Sequence, residues 1–315
     1  MISLGIDTSN YTTSCALYDS LSDTVIQEKQ LLPVKEGEKG IRQSDAVFHH
    51  TQALPVLIRR IMEKAGEIPG IIGFSDRPRD AEGSYMPCFT VGSGAASSIA
   101  SVMKIDSYGF SHQSGHIMAA LYSCGRTDLA SERFIAFHVS GGTTEMLLVS
   151  PDDERGFKAD IIGKTLDLNC GQAIDRAGVM MGLSFPCGKE LEKLAEKSAK
   201  EFSPRVFVKD GCCSFSGLEN KCREMLDSSS PEDTAKFCLD YISHALVSMT
   251  VYAREKYPSL PVVYAGGVMS DMIIRNKIES TFENVFFAGP EFSRDNAAGV
   301  ALLAYFNRRR ADNAR

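Results

Sequence analysis

Phe134-Ile135-Ala136-Phe137-His138-Val139 runs into Ser140-Gly141-Gly142-Thr143-Thr144 and goes on as Glu145-Met146-Leu147-Leu148-Val149. Apolar runs of this length, rich in Ile, Val and Phe and broken by a small hydroxylated turn, read as the two strands of a hairpin. The same pattern stands near the N-terminus. There Ile2, Leu4 and Ile6 alternate into Asp7-Thr8-Ser9-Asn10, and the chain returns as Thr13-Ser14-Cys15-Ala16-Leu17-Tyr18. Each tip concentrates backbone N–H groups and hydroxyls, which suits phosphate oxygens. One such hairpin is commonplace. Two copies roughly 130 residues apart, each opening a strand-and-helix segment, point to duplicated lobes facing one another across a cleft.

Between and beyond the hairpins, strands alternate with helices, which places the chain in the α/β class. Patterning predicts a helix over 54–65, a strand over 71–75, a Gly-rich turn at Gly92-Ser93-Gly94 opening a helix, a strand over 108–110 and a helix after His112. Further helices are predicted over 172–181 and 189–202. A long one follows Ser230-Pro231-Glu232-Asp233, where serine caps and proline takes the first helical position. Strands are expected over 261–265 and 285–288, and a final helix over 296–310.

The composition bounds the possibilities. The chain has 315 residues, 43% hydrophobic and 23% charged, enough apolar material for two cores. No apolar run of about 18 residues could span a bilayer, and no secretory leader pattern precedes Asp7, so a cytoplasmic protein is expected. Nine cysteines without metal-pair spacing read as reduced thiols. A net charge of −6 and a pI near 5.6 argue against a broad nucleic-acid surface. The cluster Arg308-Arg309-Arg310 reads either as a helix end favoured by the macrodipole or as an RNA contact.

Several residues could carry chemistry. His112 and His116, spaced i and i+4, share one helix face and can ligate one metal ion together; two polar histidines on a half-exposed helix have the same spacing. The residue after His112 is Gln113, which cannot serve as the general base of a zinc protease. Ser140-Gly141-Gly142-Thr143 and Gly266-Gly267-Val268 allow either close approach to a nucleotide or a tight turn. Asp7 and Ser140, at the two hairpin tips, are the candidates for a catalytic part. Asp175 lies one turn into a helical pattern, and Asp295-Asn296 reads as the N-cap of the last helix.

Taken in order along the chain, these motifs resemble the TsaD family of tRNA threonylcarbamoyl transferases. Gly5-Ile6-Asp7-Thr8-Ser9 resembles its N-terminal signature, with aspartate where the family usually has glutamate. His112 and His116 match its paired metal ligands, and Val139-Ser140-Gly141-Gly142-Thr143-Thr144-Glu145 resembles its nucleotide loop. Asp175, Pro186, Gly188 and Glu192, then Ser214-Phe215-Ser216-Gly217-Leu218, Gly266-Gly267-Val268 and Asp295-Asn296-Ala297-Ala298, complete the order.

The resemblance implies a duplicated actin-like (ASKHA) two-lobe fold, with one lobe over 1–130 plus 291–315, the other over 131–290, and a central nucleotide and metal cleft. It implies transfer of a threonylcarbamoyl group from threonylcarbamoyl-adenylate to the exocyclic amine of the tRNA adenosine 3′ of the anticodon. One divalent ion, Fe2+ or Zn2+, would be held by His112, His116 and Asp295. Val139, Ser140, Gly141, Gly142 and Thr143 would hold phosphate of an adenine nucleotide (threonylcarbamoyl-AMP, or ATP/ADP). Asp175 and Glu192 would accept from ribose hydroxyls, and Gly188, Gly266 and Gly267 would let the adenosine approach the backbone. Implied partners are tRNA, a smaller actin-fold protein and an accessory ATPase, with no membrane and a homo- or heterodimer as the assembly. The chain departs from the family at Thr143, at Asp271 (asparagine expected), at Cys187 (glycine expected) and over Ser75-Asp76-Arg77-Pro78-Arg79 through Pro87, where a Gly-Pro-Gly stretch is usual. That pattern fits a divergent paralogue, and leaves two other readings: a nucleotide- and metal-binding regulator without transferase activity, and a kinase or hydrolase of a small molecule.

Overall fold

A computed structural model describes residues 1–9, 11–33, 41–153, 155–293 and 296–313. The chain divides into two compact units, one made of Met1–Glu132, Ser150–Ala159 and Glu291–Arg315, the other of Arg133–Val149 and Asp160–Pro290.

In the first unit, β1 (Ile2–Ser9) pairs antiparallel with β2 (Thr12–Asp19), which pairs antiparallel with β3 (Thr24–Leu31). After α1 (Gln43–Glu63), β4 (Ile71–Arg77) adds parallel to β1. Then α2 (Phe89–Met103) leads to β5 (Asp106–Ser111), parallel to β4, giving the order β3-β2-β1-β4-β5 among the described residues. α3 (His112–Ser123) follows β5 without a loop, and a short 3₁₀ turn (Thr127–Ser131) leads out of the unit. Buried Leu4, Ile6, Leu17, Leu54, Leu57, Ile61 and Ile72 form the core between the sheet and helices α1 and α2. Strand alternation and the helical repeat of α1 bring these residues to one side.

The second unit repeats the opening move. β6 (Phe134–Val139) and β7 (Thr144–Asp152) form the second hairpin, and β8 (Gly156–Lys164) extends the sheet, with the end of β7 and the start of β8 counted in the first unit. Helices α4 (Cys170–Met180) and α5 (Gly188–Ala195) come next, then a two-stranded ribbon, β9 (Val208–Lys209) and β10 (Cys212–Cys213). α6 (Ser216–Leu226) and the long α7 (Pro231–Lys256) precede β11 (Val262–Ala265), α8 (Met272–Thr281) and β12 (Val285–Phe287). The order is β12-β11-β6-β7-β8. Ser230 caps α7 by accepting from the Asp233 N–H, with Pro231 at the first position, as the sequence predicts. Finally α9 (Ala298–Asn313) belongs to the first unit.

Three expectations need correction. The first helix begins at Gln43 and contains Pro55, rather than starting at Leu54. The helix predicted over 189–202 stops at Ala195. Gly92 and Gly94 lie inside α2 instead of in a turn before it. At Gly92 the reason is packing, since a Cβ there would stand 2.9 Å from Thr8 Oγ1. Thr8 Oγ1 accepts from the Gly92 N–H at 3.1 Å and donates to the Cys88 carbonyl at 2.9 Å, which ties the first hairpin to α2.

Candidate functional site

The first unit carries a histidine pair braced by a buried carboxylate. His112 and His116 stand one turn apart at the start of α3, and their Nε2 atoms approach to 2.9 Å. On its other side, His112 Nδ1 lies 2.7 Å from Asp7 Oδ2. Asp7 is only 1% exposed and also accepts from Ser75 Oγ (2.6 Å) and from the Ser9 N–H (2.7 Å). Burial alone would push this carboxyl up, but the His112 imidazole and those hydrogen bonds prevail and hold it below the usual carboxylate value. A carboxylate on Nδ1 favours the Nδ1–H tautomer, so the Nε2 of His112 is left with its lone pair outward.

That arrangement fits a divalent cation. Two nitrogens each about 2.0–2.1 Å from one ion stand about 2.9–3.4 Å apart for angles between a right angle and the tetrahedral value. The observed 2.9 Å is the lower end of that range. Among the described residues no group of three or more His, Cys, Asp and Glu side chains is placed to hold a metal. The expected third ligand, Asp295, lies outside the described residues. Its neighbour Asn296 accepts at 3.0 Å from the N–H of Ala298, the first residue of α9.

Sequence reasoning missed Ser75, which donates to Asp7 and comes from the segment noted only as a departure from the family pattern. His50 is fully buried on α1, its Nδ1 2.8 Å from Thr13 Oγ1, and burial pushes its pKa down to about 4. It stays neutral and anchors the first hairpin to α1.

In the second unit, the parallel pairing of β11 with β6 sets Ala265 beside His138, so Gly266 falls against Val139. Gly266 has φ 104°, and a Cβ there would lie 2.2 Å from the Val139 carbonyl oxygen, so only glycine fits. Within the loop, Ser140 Oγ accepts from the N–H groups of Gly142 (3.3 Å) and Thr143 (3.1 Å). The Ser140 hydroxyl therefore shapes its own turn. The start of α4 packs directly on the loop: Gly171 donates to the Ser140 carbonyl at 3.2 Å, and Cys170 N–H to Thr144 Oγ1 at 2.9 Å.

Other expected contacts already have structural work. Asp175 Oδ1 accepts from the Cys187 N–H at 2.8 Å, which fixes the start of α5, and Gly188 has open space where a Cβ would stand. Glu192 Oε1 accepts from the Met272 N–H at 2.6 Å, while Asp271 Oδ1 accepts from the Ile274 N–H at 3.0 Å. Two carboxylates thus share the N-terminus of α8. Burial, more than Glu192 nearby, raises the Asp271 carboxyl to about 7. A groove of about 510 Å³ runs between α4 and α6, lined by Asp175, Arg176, Val179 and Met180 on one side and Glu219 and Arg223 on the other. Of the expected nucleotide contacts, Asp175 alone lines it.

The family model described as tRNA N6-adenosine threonylcarbamoyltransferase (TsaD) matches residues 21–302. The chain belongs to the TsaD family. This TsaD-family chain is similar to the tRNA N6-adenosine threonylcarbamoyltransferase of Archaeoglobus fulgidus, at 28% identity over 97% of this chain and 92% of that one. It is similar also to the enzyme of the same name from Thermosipho melanesiensis, at 30% identity over 97% and 94%. Among solved structures, HypF of T. kodakarensis superposes with a TM-score of 0.64 at 13% identity, covering 99% of this chain and 48% of that one. At that identity the likeness establishes the fold alone, and the fold is actin-like.

Proposed function

We propose that this chain transfers the threonylcarbamoyl group of threonylcarbamoyl-adenylate to the exocyclic amine of the tRNA adenosine just 3′ of the anticodon. The observation that carries the reading is the braced histidine pair: the two residues that match the family's metal ligands meet at Nε2, with Asp7 orienting one of them from behind.

In the reaction, the adenosine amine attacks the acyl carbonyl carbon, a C–N bond forms, and the C–O bond to phosphate breaks. AMP leaves with the electron pair and the amine gives up a proton. His112 and His116, with Asp295 as the expected third ligand, would hold a divalent ion, Fe2+ or Zn2+, which would supply Lewis-acid polarisation of the acyl carbonyl. Asp7 keeps His112 in the ligating tautomer, a positioning part rather than a direct catalytic one. In the second unit, backbone groups of Val139 to Thr143 take phosphate, and Gly266-Gly267 and Gly188 leave room beside the backbone for the adenosine. Asp175, on the wall of the groove, accepts from ribose. Glu192 and Asp271 support α8 rather than reaching the ligand through their capping oxygens. Ser140 serves by shaping the loop.

With a net charge of −6, the chain gains from a partner in docking RNA. A smaller actin-fold protein and an accessory ATPase are the partners the reading calls for, in the cytoplasm.

Purified chain, its partners, tRNA and threonylcarbamoyl-adenylate should release AMP in step with modified adenosine in the tRNA. Deleting the gene should remove that nucleoside from tRNA. Undiminished modification in the deletion strain, together with ADP rather than AMP release in vitro, would overturn the reading.

A further inference from the structure

The loop after β4 is built around a buried carboxylate that the transfer chemistry does not use. β4 and β5 pair in register until a shift between Ser75 and Arg77, so Asp76 is extra to the ladder and its carboxylate sits over Gly109, where a Cβ would be 2.3 Å away. Bulges re-aim the residues on either side of them. Here Ser75 is turned onto Asp7, and Arg77 toward Asp80. Asp80, its side chain 4% exposed, accepts from Arg77 Nε (3.2 Å) and Nη2 (2.6 Å) through one oxygen. The other oxygen accepts from Ser111 Oγ at 3.0 Å and Ser114 Oγ at 2.8 Å.

Ser111 and Ser114 flank the first histidine. Ser111 is the N-cap of α3, accepting from the Ser114 N–H at 3.0 Å, and the Pro78 carbonyl accepts from the Gln113 N–H at 3.1 Å. The first turn of α3 is thus gripped on its cap, on its second residue and on its third. A side chain on that turn points where the turn points.

We propose that Asp80, clamped by Arg77, is a positioning residue that sets the direction in which His112 and His116 present their Nε2 atoms. It acts from the α3 side as Asp7 acts from the β1 side, and it comes from the segment in which this chain departs from the family pattern. Outer partners of metal-ligating histidines typically change affinity by roughly 10–100-fold when removed. The inference rests on the reading of His112 and His116 as ligands, so the test separates the two.

Co2+ alone is titrated into metal-free wild type, Asp80→Asn, Asp80→Ala and His112→Ala, following cobalt d–d absorption, and imidazole nitrogen NMR spectra are recorded on the metal-free proteins. Asp80→Asn keeps the side-chain shape and serves where Asp80→Ala does not fold. The expected result is roughly 10–100-fold weaker Co2+ binding and a shifted d–d band in the Asp80 variants, with binding abolished in His112→Ala. Wild-type affinity and band in the Asp80 variants, with His112→Ala inactive for binding, would overturn the positioning role and leave the ligand reading intact. Wild-type binding by His112→Ala would instead sink the ligand reading. The imidazole spectra then decide: resonances of His112 and His116 displaced or broadened in the Asp80 variants support the positioning role, and unchanged resonances refute it.

Discussion

Asp7 Oδ2 stands 2.7 Å from Nδ1 of His112, although the two residues are separated by 105 positions in the chain. The contact joins the tip of the first strand to the first residue of α3. It makes an aspartate that also braces its own turn, through the Ser9 N–H, the outer partner of a candidate metal ligand.

Replacing Asp7 with Asn tests this directly. The amide can present N–H to Nδ1, which favours the opposite tautomer and moves the proton to Nε2. Affinity for Zn2+ or Fe2+ should fall by roughly 10–100-fold, and calorimetric titration of the metal-free protein would measure it. Wild-type affinity would show that the carboxylate is merely structural.

The α3–α9 contact is a second point of leverage. A Cβ at Gly299 would lie 1.8 Å from the carbonyl oxygen of Gly115, so Gly299→Ala must push α9 off the histidine helix. Such overpacking against backbone should cost about 3 kcal/mol, seen as an earlier urea transition of the first unit. Gly94→Ala is the matched control: it sits on the exposed side of α2 with open space around it, and should instead stabilise by about 0.5–1 kcal/mol through helix propensity.

Asp271 predicts a pH dependence of opposite sign to the usual carboxylate. Its folded value, about 7, lies above the ordinary 3.8, so the folded state holds the proton more tightly. The associated stability is full below the ordinary value and is lost as pH rises through about 7. Asp271→Asn keeps the cap of α8 and removes the titration. Relative to the variant, wild type should lose on the order of 2–4 kcal/mol between pH 4 and pH 8, read from urea unfolding across that range. Glu192→Gln should lessen the loss, because Glu192 adds to the rise. Parallel curves for wild type and Asp271→Asn would refute the assignment.

Thr13→Val isolates the anchor of the first hairpin. It strips the fully buried His50 ring of its 2.8 Å partner at almost constant volume. Leaving a buried nitrogen unpaired should cost about 1–3 kcal/mol, visible as faster amide exchange in β1 and β2. Unaltered exchange there would mean that another group takes the hydroxyl's place.

Legibility varied with how local each signal was. Both hairpins were readable because a strand's alternation and a turn's glycines act within a few residues. β3 was not: Thr24–Leu31 is an edge strand in which Val25 and Ile26 stand together and four polar residues follow, with Ile26 and Leu31 exposed and Gln27 and Glu28 half-buried, so no alternation shows. The start of α1 was obscured by the polar opening Gln43-Ser44-Asp45, by His49-His50, and by Pro55, which reads as a break but sits inside the helix. Gly92 reads as punctuation, yet its role is to let α2 close on Thr8.

Composition, hairpin repetition and the spacing of His112 and His116 are properties of consecutive residues, and periods of about 2 and 3.6 residues are enough to express them. Family membership rests on the same kind of order along the chain. Tertiary structure alone decided that Asp7 serves His112, that Asp80 grips α3, and that Glu192 and Asp271 share one helix end. Those partnerships depend on the parallel register of β1, β4 and β5 and on the bulge after Ser75 in the first unit, and on the reach of Glu192 from α5 to the N-terminus of α8 in the second. A hydrogen bond forms only where folding places donor and acceptor within about 3 Å, and no local pattern encodes which distant side chain will arrive there.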